Sequence, residues 1–196
     1  MGDPLFHSWV RHPEMLKVVR CFSGPDTKTF ANMYINKPPD VNGTGIHPIH
    51  QDMVYYPWSH VERTVAAWTA LAPVTKDNGC LVVVPGSHKR GLLEHSIPDW
   101  IKNAGFHTVT EVADVNDLND VEHARINLVR VEMEPGDTLY FSPLLLHGSG
   151  LNNTDASRKS IVCHFAASKS TYLKDFDPAQ DFAALNLAKS AHSVRG

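Results

Sequence analysis

The sequence predicts a mainly β protein, folded as an antiparallel sandwich or barrel with a few flanking helices. Three observations support this prediction: about seven short runs rich in β-branched, leucine and aromatic residues, turn sequences between them, and only two helical patterns in 196 residues. A parallel α/β fold would need a helical pattern in most of these intervals. We therefore expect one β-rich domain over 1–196, long enough to bury a sizeable core.

The two helical patterns lie near the ends of the chain. The first, over 13–22, has Pro13 in its first turn and is followed by Gly24-Pro25, which ends a helix. The second, over 178–192, has apolar residues spaced three and four apart. We expect both helices to flank the β-rich core.

The strand candidates are bounded by turns that glycine and proline favour. Asp77-Asn78-Gly79 and Pro135-Gly136-Asp137 are two of these turns. The strands are predicted at 28–36, 48–56, 63–72, 80–84, 126–134, 138–147 and 158–166. The interval 87–125 is polar and lacks a clear period, which predicts a long excursion between two strands, and such loops are often functional.

Composition and charge argue against several classes of function. The chain is 42% hydrophobic and 20% charged with a formal net charge of −3, whereas nucleic-acid-binding domains are usually strongly basic. No apolar run approaches the length of a transmembrane helix, so we expect no membrane span. The three cysteines are far apart and odd in number, which favours free thiols in a reducing compartment.

The stretch HPIHQDMVYY, residues 47–56, places a histidine and an aspartate two positions apart in a predicted strand. Successive side chains of a strand point to opposite faces, so His50 and Asp52 share one face and Gln51 takes the other. A carboxylate on an inward face is costly unless a partner compensates its charge. A metal ion, an arginine or solvent would each serve, and this stretch alone does not choose between them.

His147 supplies a candidate third ligand about a hundred residues downstream. It ends an apolar strand in the run LLLHGSG and is followed by small residues. A lone histidine there would more often be a core residue, but an H-x-D strand upstream reverses this expectation. Two histidines and one carboxylate on a β scaffold form the facial triad of non-haem Fe(II) oxygenases, which leaves positions open for co-substrate and O₂.

Arg158 lies eleven residues after His147, at the start of the predicted strand RKSIVCHFA. Oxygenases of this kind often use 2-oxoglutarate, whose far carboxylate needs a cation at a fixed reach. A guanidinium group binds carboxylates with two parallel hydrogen bonds, which suits this task. A solvated charge is the alternative for an arginine at a strand start, and its spacing from His147 favours the functional interpretation.

Several of these motifs together resemble the phytanoyl-CoA 2-hydroxylase family of 2-oxoglutarate dioxygenases. The resemblance runs from about Leu5 to about Phe165 and includes INKPPD, HPIHQD, AWTAL, NGCLVVVPGSHK, PGDTLYFSPLLLHGSG and RKSIVCHFA. It implies a double-stranded β-helix, a jelly-roll and cupin-like fold, with its core over about 28–166. It also implies that the chain is N-terminally truncated relative to the family and lacks supporting segments.

The resemblance assigns roles residue by residue. His50, Asp52 and His147 would bind Fe(II), and Arg158 and Ser149 would hold the 2-oxoglutarate carboxylate. Trp68 and Met33 would line the co-substrate pocket with Gln51 beside it, and His95 and His164 are possible pocket residues. The alternatives stay open: a strand tryptophan is usually core, a methionine usually fills space, and a histidine is often core or surface.

The implied activity is 2-hydroxylation of phytanoyl-CoA or a similar 3-methyl-branched acyl-CoA in fatty-acid α-oxidation, with ascorbate keeping the iron ferrous. The family implies a peroxisomal location, but no targeting signal is readable in the chain, so the cytosol stays open. Two alternatives remain: a related dioxygenase acting on another small molecule, and a truncated, catalytically weak metal-binding form. The oligomeric state is also open.

Overall fold

The computed structural model describes residues 3–40, 42, 45–97, 106–112, 118, 126–173 and 192–194. Helix α1 spans Pro4–Val10 and helix α2 spans Pro13–Ser23, which confirms the predicted helix over 13–22. Helix α1 was not predicted, because it has only seven residues; Asp3 caps it by accepting a hydrogen bond from the backbone N–H of Leu5. The helix predicted at 178–192 lies outside the described residues except for its last residue, which is in a strand.

The described residues form eleven strands in three antiparallel sheets, which confirms the mainly β prediction. The strands are β1 (Thr27–Lys37), β2 (His47–His50), β3 (Thr64–Ala70), β4 (Leu81–Val83), β5 (His95–Ser96), β6 (Thr108–Val109), β7 (Val129–Val131), β8 (Thr138–Phe141), β9 (His147–Ser149), β10 (Arg158–Ala167) and β11 (His192–Val194). A five-stranded sheet has the order β11-β1-β10-β3-β8 and a four-stranded sheet the order β2-β9-β4-β7. Strands β5 and β6 pair separately, inside the predicted excursion.

Three predicted strands were much too long: the strand predicted over 126–134 is only Val129–Val131, and the other two errors lie beside the candidate site. The strand predicted over 48–56 ends at His50, because residues 52–54 form a 3₁₀ turn. The strand predicted over 138–147 is divided: β8 ends at Phe141 and β9 begins at His147. Pro143 in this interval has no N–H for a sheet ladder, and the Leu145 N–H closes a turn onto the Ser142 carbonyl at 2.9 Å.

The pleat of the five-stranded sheet separates two hydrophobic clusters. On its outer face, Val65 of β3 and Phe165 of β10 pack against α1 and α2, through Val10 and Leu16 among others. On its inner face, side chains of opposite parity such as Trp68 pack towards the four-stranded sheet. Both faces of β3 are therefore buried, which explains why its sequence is apolar almost throughout.

The four-stranded sheet is likewise covered on its outer face. Ile49 of β2 and Val82 of β4 pack there with Val109 and Leu118 from the excursion. The candidate site therefore lies between two sheets that are both backed by apolar clusters. Among the described residues, no helix is long and apolar enough to cross a membrane.

Candidate metal and co-substrate site

His50 and His147 face each other across neighbouring strands of the four-stranded sheet. They are partners in the β2–β9 register, and their ring centroids are 4.3 Å apart. The Nδ1 atom of His50 lies 2.8 Å from the Pro48 carbonyl oxygen, and Nδ1 of His147 lies 2.9 Å from that of Leu145. A carbonyl oxygen only accepts, so Nδ1 carries the proton in both rings. Each Nε2 therefore keeps its lone pair and could act as a metal ligand.

Asp52 completes this group although it lies beyond the end of β2. Gln51 is extended, with φ −118° and ψ 130°, so His50 and Asp52 still point to the same side. Oδ1 of Asp52 lies 3.4 Å from Nε2 of His50 and 3.6 Å from Nε2 of His147. The three side chains are buried, and their potential ligand atoms all lie within 4.8 Å of one another.

The second carboxylate oxygen of Asp52 has a separate partner on the opposite sheet. Nε2 of His164, in β10, lies 2.9 Å from Oδ2 of Asp52. This contact fixes the carboxylate so that Oδ1 points to the two histidines. Burial alone would raise the pKa of Asp52, but His147 and His164 together hold it well below its usual value, so the carboxylate stays ionised.

The donor set fits a divalent first-row ion such as Fe(II). Two imidazole nitrogens and one carboxylate oxygen on one side leave the other side free for ligands, as in the facial triad. Burial, with a smaller contribution from His50, lowers the pKa of His147 to about 4, so this imidazole is neutral at physiological pH as ligation requires. The metal role of the three residues stays a prediction, and their geometry supports it.

A cavity of about 260 Å³ opens beside the three residues and is bounded by both sheets. Its described lining is mostly apolar and comprises Met33, Ile35, His47, His50, Asp52, Tyr55, Tyr56, Trp68, Leu81, Phe106, Phe141, His147, Gly148, Ser149, Arg158, Val162 and His164. A small, mostly apolar cavity with a few charged groups is typical of a site for a small molecule. Every predicted site residue except Gln51 and His95 is in this lining.

Arg158 is the cationic side chain of the cavity wall and is only 3% exposed. Its guanidinium donates to Ser160 Oγ at 3.0 Å and to the Gly79 carbonyl at 3.2 Å, and it lies 5.3 Å from the centroid of the Trp68 ring. Burial lowers the pKa of Arg158 to about 10, so the group remains charged at neutral pH. A buried guanidinium next to a cavity is suited to bind a carboxylate.

Ser149, Met33 and Trp68 all line the cavity. Ser149 is buried at the end of β9, and Trp68 lies on the inner face of β3. Met33 lines the cavity but is 41% exposed, which places it at the rim. His164, a possible pocket residue by resemblance, is buried against the Asp52 carboxylate. Contact of these residues with 2-oxoglutarate stays a prediction.

Gln51 and His95 lie behind the metal-binding residues and outside the cavity lining. The Gln51 amide donates to the carbonyls of Gly91 and Leu144, at 2.9 and 2.7 Å, and accepts from the Leu93 N–H at 2.8 Å. His95 Nε2 accepts a hydrogen bond from the Gln51 N–H at 3.1 Å. These contacts give both side chains a bracing role behind the metal site and do not support direct contact with a co-substrate.

Three polar residues near the site, one buried and two partly buried, were missed by sequence reasoning. His47 packs against His50 with ring centroids 4.5 Å apart. The ring centroid of Tyr55 lies 5.6 Å from that of His50, although no local sequence pattern indicated this contact. Lys37 ends β1 and is 7% exposed, although a lysine before Pro38-Pro39 suggests a solvated strand end. His47 and His50 are three residues apart, and in a regular strand this spacing would place them on opposite faces. The sequence could therefore indicate only that both lie in or near one strand.

Gly79 is required by the turn that positions Arg158, which leads to a stability prediction. Its φ is +77°, and a Cβ there would lie 2.8 Å from the Gly150 oxygen and 3.0 Å from Lys37 Cδ. We expect Gly79→Ala to lower the free energy of unfolding by about 2–4 kcal/mol, measured by urea denaturation. Gly86→Ala is the matched control, because Gly86 has φ +80° but nothing within 4 Å. Equal losses in the two variants would contradict the close approach.

Two facing antiparallel sheets around a His-Asp-His group, with a buried arginine on the opposite wall, define the jelly-roll class to which non-haem iron oxygenases belong. The chain belongs to the phytanoyl-CoA dioxygenase (PhyH) family, whose profile matches residues 1–160. The double-stranded β-helix fold predicted from the sequence is thereby confirmed.

Individual relatives agree with this assignment. The human protein named "Phytanoyl-CoA dioxygenase, peroxisomal" is 41% identical over 187 residues, which cover 94% of this chain and 52% of that protein. The chain thus spans about half the length of this relative.

Solved structures share the fold at low identity. The non-haem monooxygenase ThoJ superposes with a TM-score of 0.71 at 22% identity, covering 97% of this chain and 61% of ThoJ. The epimerase SnoN, solved with Fe³⁺, alpha ketoglutarate and nogalamycin RO, has a TM-score of 0.69 at 20% identity. The superposition covers 92% of this chain and 65% of SnoN. These structures support the fold alone.

Proposed function

We propose that this chain carries the active centre of an Fe(II)- and 2-oxoglutarate-dependent oxygenase that 2-hydroxylates phytanoyl-CoA or a similar 3-methyl-branched acyl-CoA, a step of fatty-acid α-oxidation. The observation that carries the proposal is the convergence of His50 Nε2, Asp52 Oδ1 and His147 Nε2 at a buried cavity. Arg158 lies in the wall of the same cavity and provides the cation that a dicarboxylate needs.

The roles of the chain's own residues follow from their contacts. His50, Asp52 and His147 would hold the ion, and His164 keeps the Asp52 carboxylate turned so that one oxygen is available. When bound, Fe(II) supplies O₂ activation coupled to decarboxylation of 2-oxoglutarate. Arg158, with Ser149, would hold the far carboxylate of the co-substrate.

The apolar walls have a distinct role in this scheme. Trp68 and Met33 belong to a lining in which most side chains are apolar or aromatic, so a bound co-substrate would displace water from this surface and charge pairing with it would be strengthened. Ascorbate is proposed as the reductant that returns the ion to the ferrous state. A peroxisomal location is proposed because the human relative is named as peroxisomal.

A related 2-oxoglutarate dioxygenase acting on another small molecule is the second candidate. It is favoured by one observation: apart from Arg158, the described lining of the cavity has no lysine or arginine that could bind the phosphates of an acyl-CoA. A catalytically weak metal-binding form is the third candidate, since the group of His50, Asp52 and His147 could hold an ion without any turnover.

An anaerobic titration followed by oxygen exposure tests these candidates. Fe(II) and 2-oxoglutarate are added to the protein while the visible metal-to-ligand charge-transfer band is recorded, and oxygen is then admitted with phytanoyl-CoA. The proposal expects the band, then succinate and 2-hydroxyphytanoyl-CoA in equal amounts. Succinate without hydroxylated acyl-CoA would favour the second candidate. Fe(II) binding without succinate would favour the third, and no Fe(II) binding would contradict all three.

A further inference from the structure

Lys37 is a buried lysine whose three hydrogen bonds are all to uncharged acceptors beside the cavity. Its Nζ donates to the Gly45 carbonyl at 2.7 Å, to Ser149 Oγ at 2.9 Å and to the Gly150 carbonyl. An ammonium group has three N–H donors and no acceptor, so these three partners use its full capacity. Its aliphatic stem lies under Gly79, where an added Cβ would be 3.0 Å from Lys37 Cδ.

The hydrogen bond from Lys37 restricts the acceptors to which the Ser149 hydroxyl can donate. Because Lys37 donates to Ser149 Oγ and has no lone pair, Ser149 cannot donate back to it. Ser149 lines the cavity, and Arg158 lines it too, as the β1–β10 partner of Lys37. The hydroxyl proton is therefore available to an acceptor inside the cavity, on the wall where Arg158 lies.

We propose that Lys37 is a positioning residue that holds the Ser149 hydroxyl as a donor to the far carboxylate of 2-oxoglutarate, and that it acts through Ser149 without touching the co-substrate. This inference rests on the proposed function and adds a residue to it. A carboxylate held by Arg158 and by a pre-oriented hydroxyl loses less freedom on binding than one held by Arg158 alone.

A purely structural role is the alternative, because Lys37 also joins the segment after β1 to the end of β9. The hydrogen bonds of Lys37 to the Gly45 and Gly150 carbonyls would stabilise this connection without any role for Ser149. The two roles predict different effects of replacing Lys37. If its role is structural, the substitution should weaken Fe(II) binding, 2-oxoglutarate binding and stability together. If it positions Ser149, the substitution should weaken 2-oxoglutarate binding, and only while residue 149 has a hydroxyl.

The charge environment of Lys37 adds a pH dependence. Burial, and then Arg158 of β10, lower the pKa of Lys37 to about 7, while Asp40 after β1 acts in the opposite direction. Burial raises the pKa of Cys80, which stays a neutral thiol, and Arg158 stays charged. A neutral amine would have a lone pair to accept the Ser149 proton, so 2-oxoglutarate affinity should fall as the pH rises above about 7.

A double-mutant cycle tests the proposal on the Fe(II)-loaded full chain under anaerobic conditions. The dissociation constant of 2-oxoglutarate is measured from the charge-transfer band and by calorimetry for wild type, Lys37→Met, Ser149→Ala and the double variant. Each single substitution is expected to raise it about tenfold, as for loss of one hydrogen bond to a charged group. The double variant should bind no more weakly than Ser149→Ala alone. Additive effects, or an unchanged constant in Lys37→Met, would overturn the proposal.

Lys28→Met is the matched control, because Lys28 lies at the other end of β1 and donates to the Ser170 carbonyl. It should leave the dissociation constant of 2-oxoglutarate unchanged. Should Lys37→Met not fold, Lys37→Gln takes its place in the cycle: it should raise the dissociation constant several-fold in the presence of the Ser149 hydroxyl only, and an unchanged constant would overturn the proposal. Wild type that binds no 2-oxoglutarate would instead contradict the proposed function.

Discussion

Asp52→Ala is expected to abolish stoichiometric Fe(II) binding, and His147→Ala is expected to do the same. Each substitution leaves two protein ligands, and two ligands do not hold the ion with an open face of the right geometry. Asp52 also carries the negative charge of the group, so its loss leaves the ion's charge without compensation at a buried position. Iron content is measured after anaerobic loading and desalting, with calorimetry for the dissociation constant.

The control for this prediction is an aspartate outside the site. Asp155 is exposed in the turn before β10, so Asp155→Ala should retain one equivalent of iron. Unfolding curves for all variants establish that the loss of iron is not a loss of fold. One equivalent of iron retained by folded Asp52→Ala or His147→Ala would remove these residues from the ligand set.

Arg158→Ala is expected to raise the dissociation constant of 2-oxoglutarate at least about tenfold, for loss of a charge-assisted pair in a buried site. Arg158→Lys should restore only part of the affinity, because an ammonium group cannot reproduce the planar fork of a guanidinium. The measurement is the anaerobic charge-transfer titration, with the apparent KM from succinate formation beside it.

Two comparisons isolate the role of Arg158. Fe(II) binding should be unchanged in Arg158→Ala, since the guanidinium belongs to the opposite sheet from His50 and His147. Arg11→Ala removes an exposed arginine after α1 and should leave the dissociation constants of Fe(II) and 2-oxoglutarate unchanged. If Arg158→Ala bound 2-oxoglutarate as tightly as wild type, the arginine would be a structural residue that supports Gly79 and Ser160.

Strand periodicity predicted much of the site because it depends only on local geometry. The placement of His50 and Asp52 on one face follows from the alternation of side chains in an extended chain, and the same alternation explains why Arg158 and His164, six residues apart in β10, both line the cavity. The same rule put Gln51 on the opposite face, and its contacts with Gly91, Leu93 and Leu144 agree with that rule. The role beside the co-substrate came from resemblance, and these contacts do not support it.

The features that could not be predicted depend on pairing between distant segments. The contact of His164 with Asp52 joins residues 112 positions apart, and that of Lys37 with Ser149 also spans 112 positions. No local pattern indicates that a lysine at a strand end will be buried under another strand. The 3₁₀ turn after His50 was missed because the run MVYY has high strand propensity, and the surrounding contacts override it.

The division of the site between two sheets has a mechanical consequence. His50 and His147 belong to the four-stranded sheet, so an ion held by them is anchored mainly to one layer, and the Asp52–His164 hydrogen bond is its link to the other. A molecule that binds both the ion and Arg158 would instead span the gap between the two sheets and link them directly. Its arrival would stiffen the sandwich against shear, and its departure would restore the freedom of the two layers to slide.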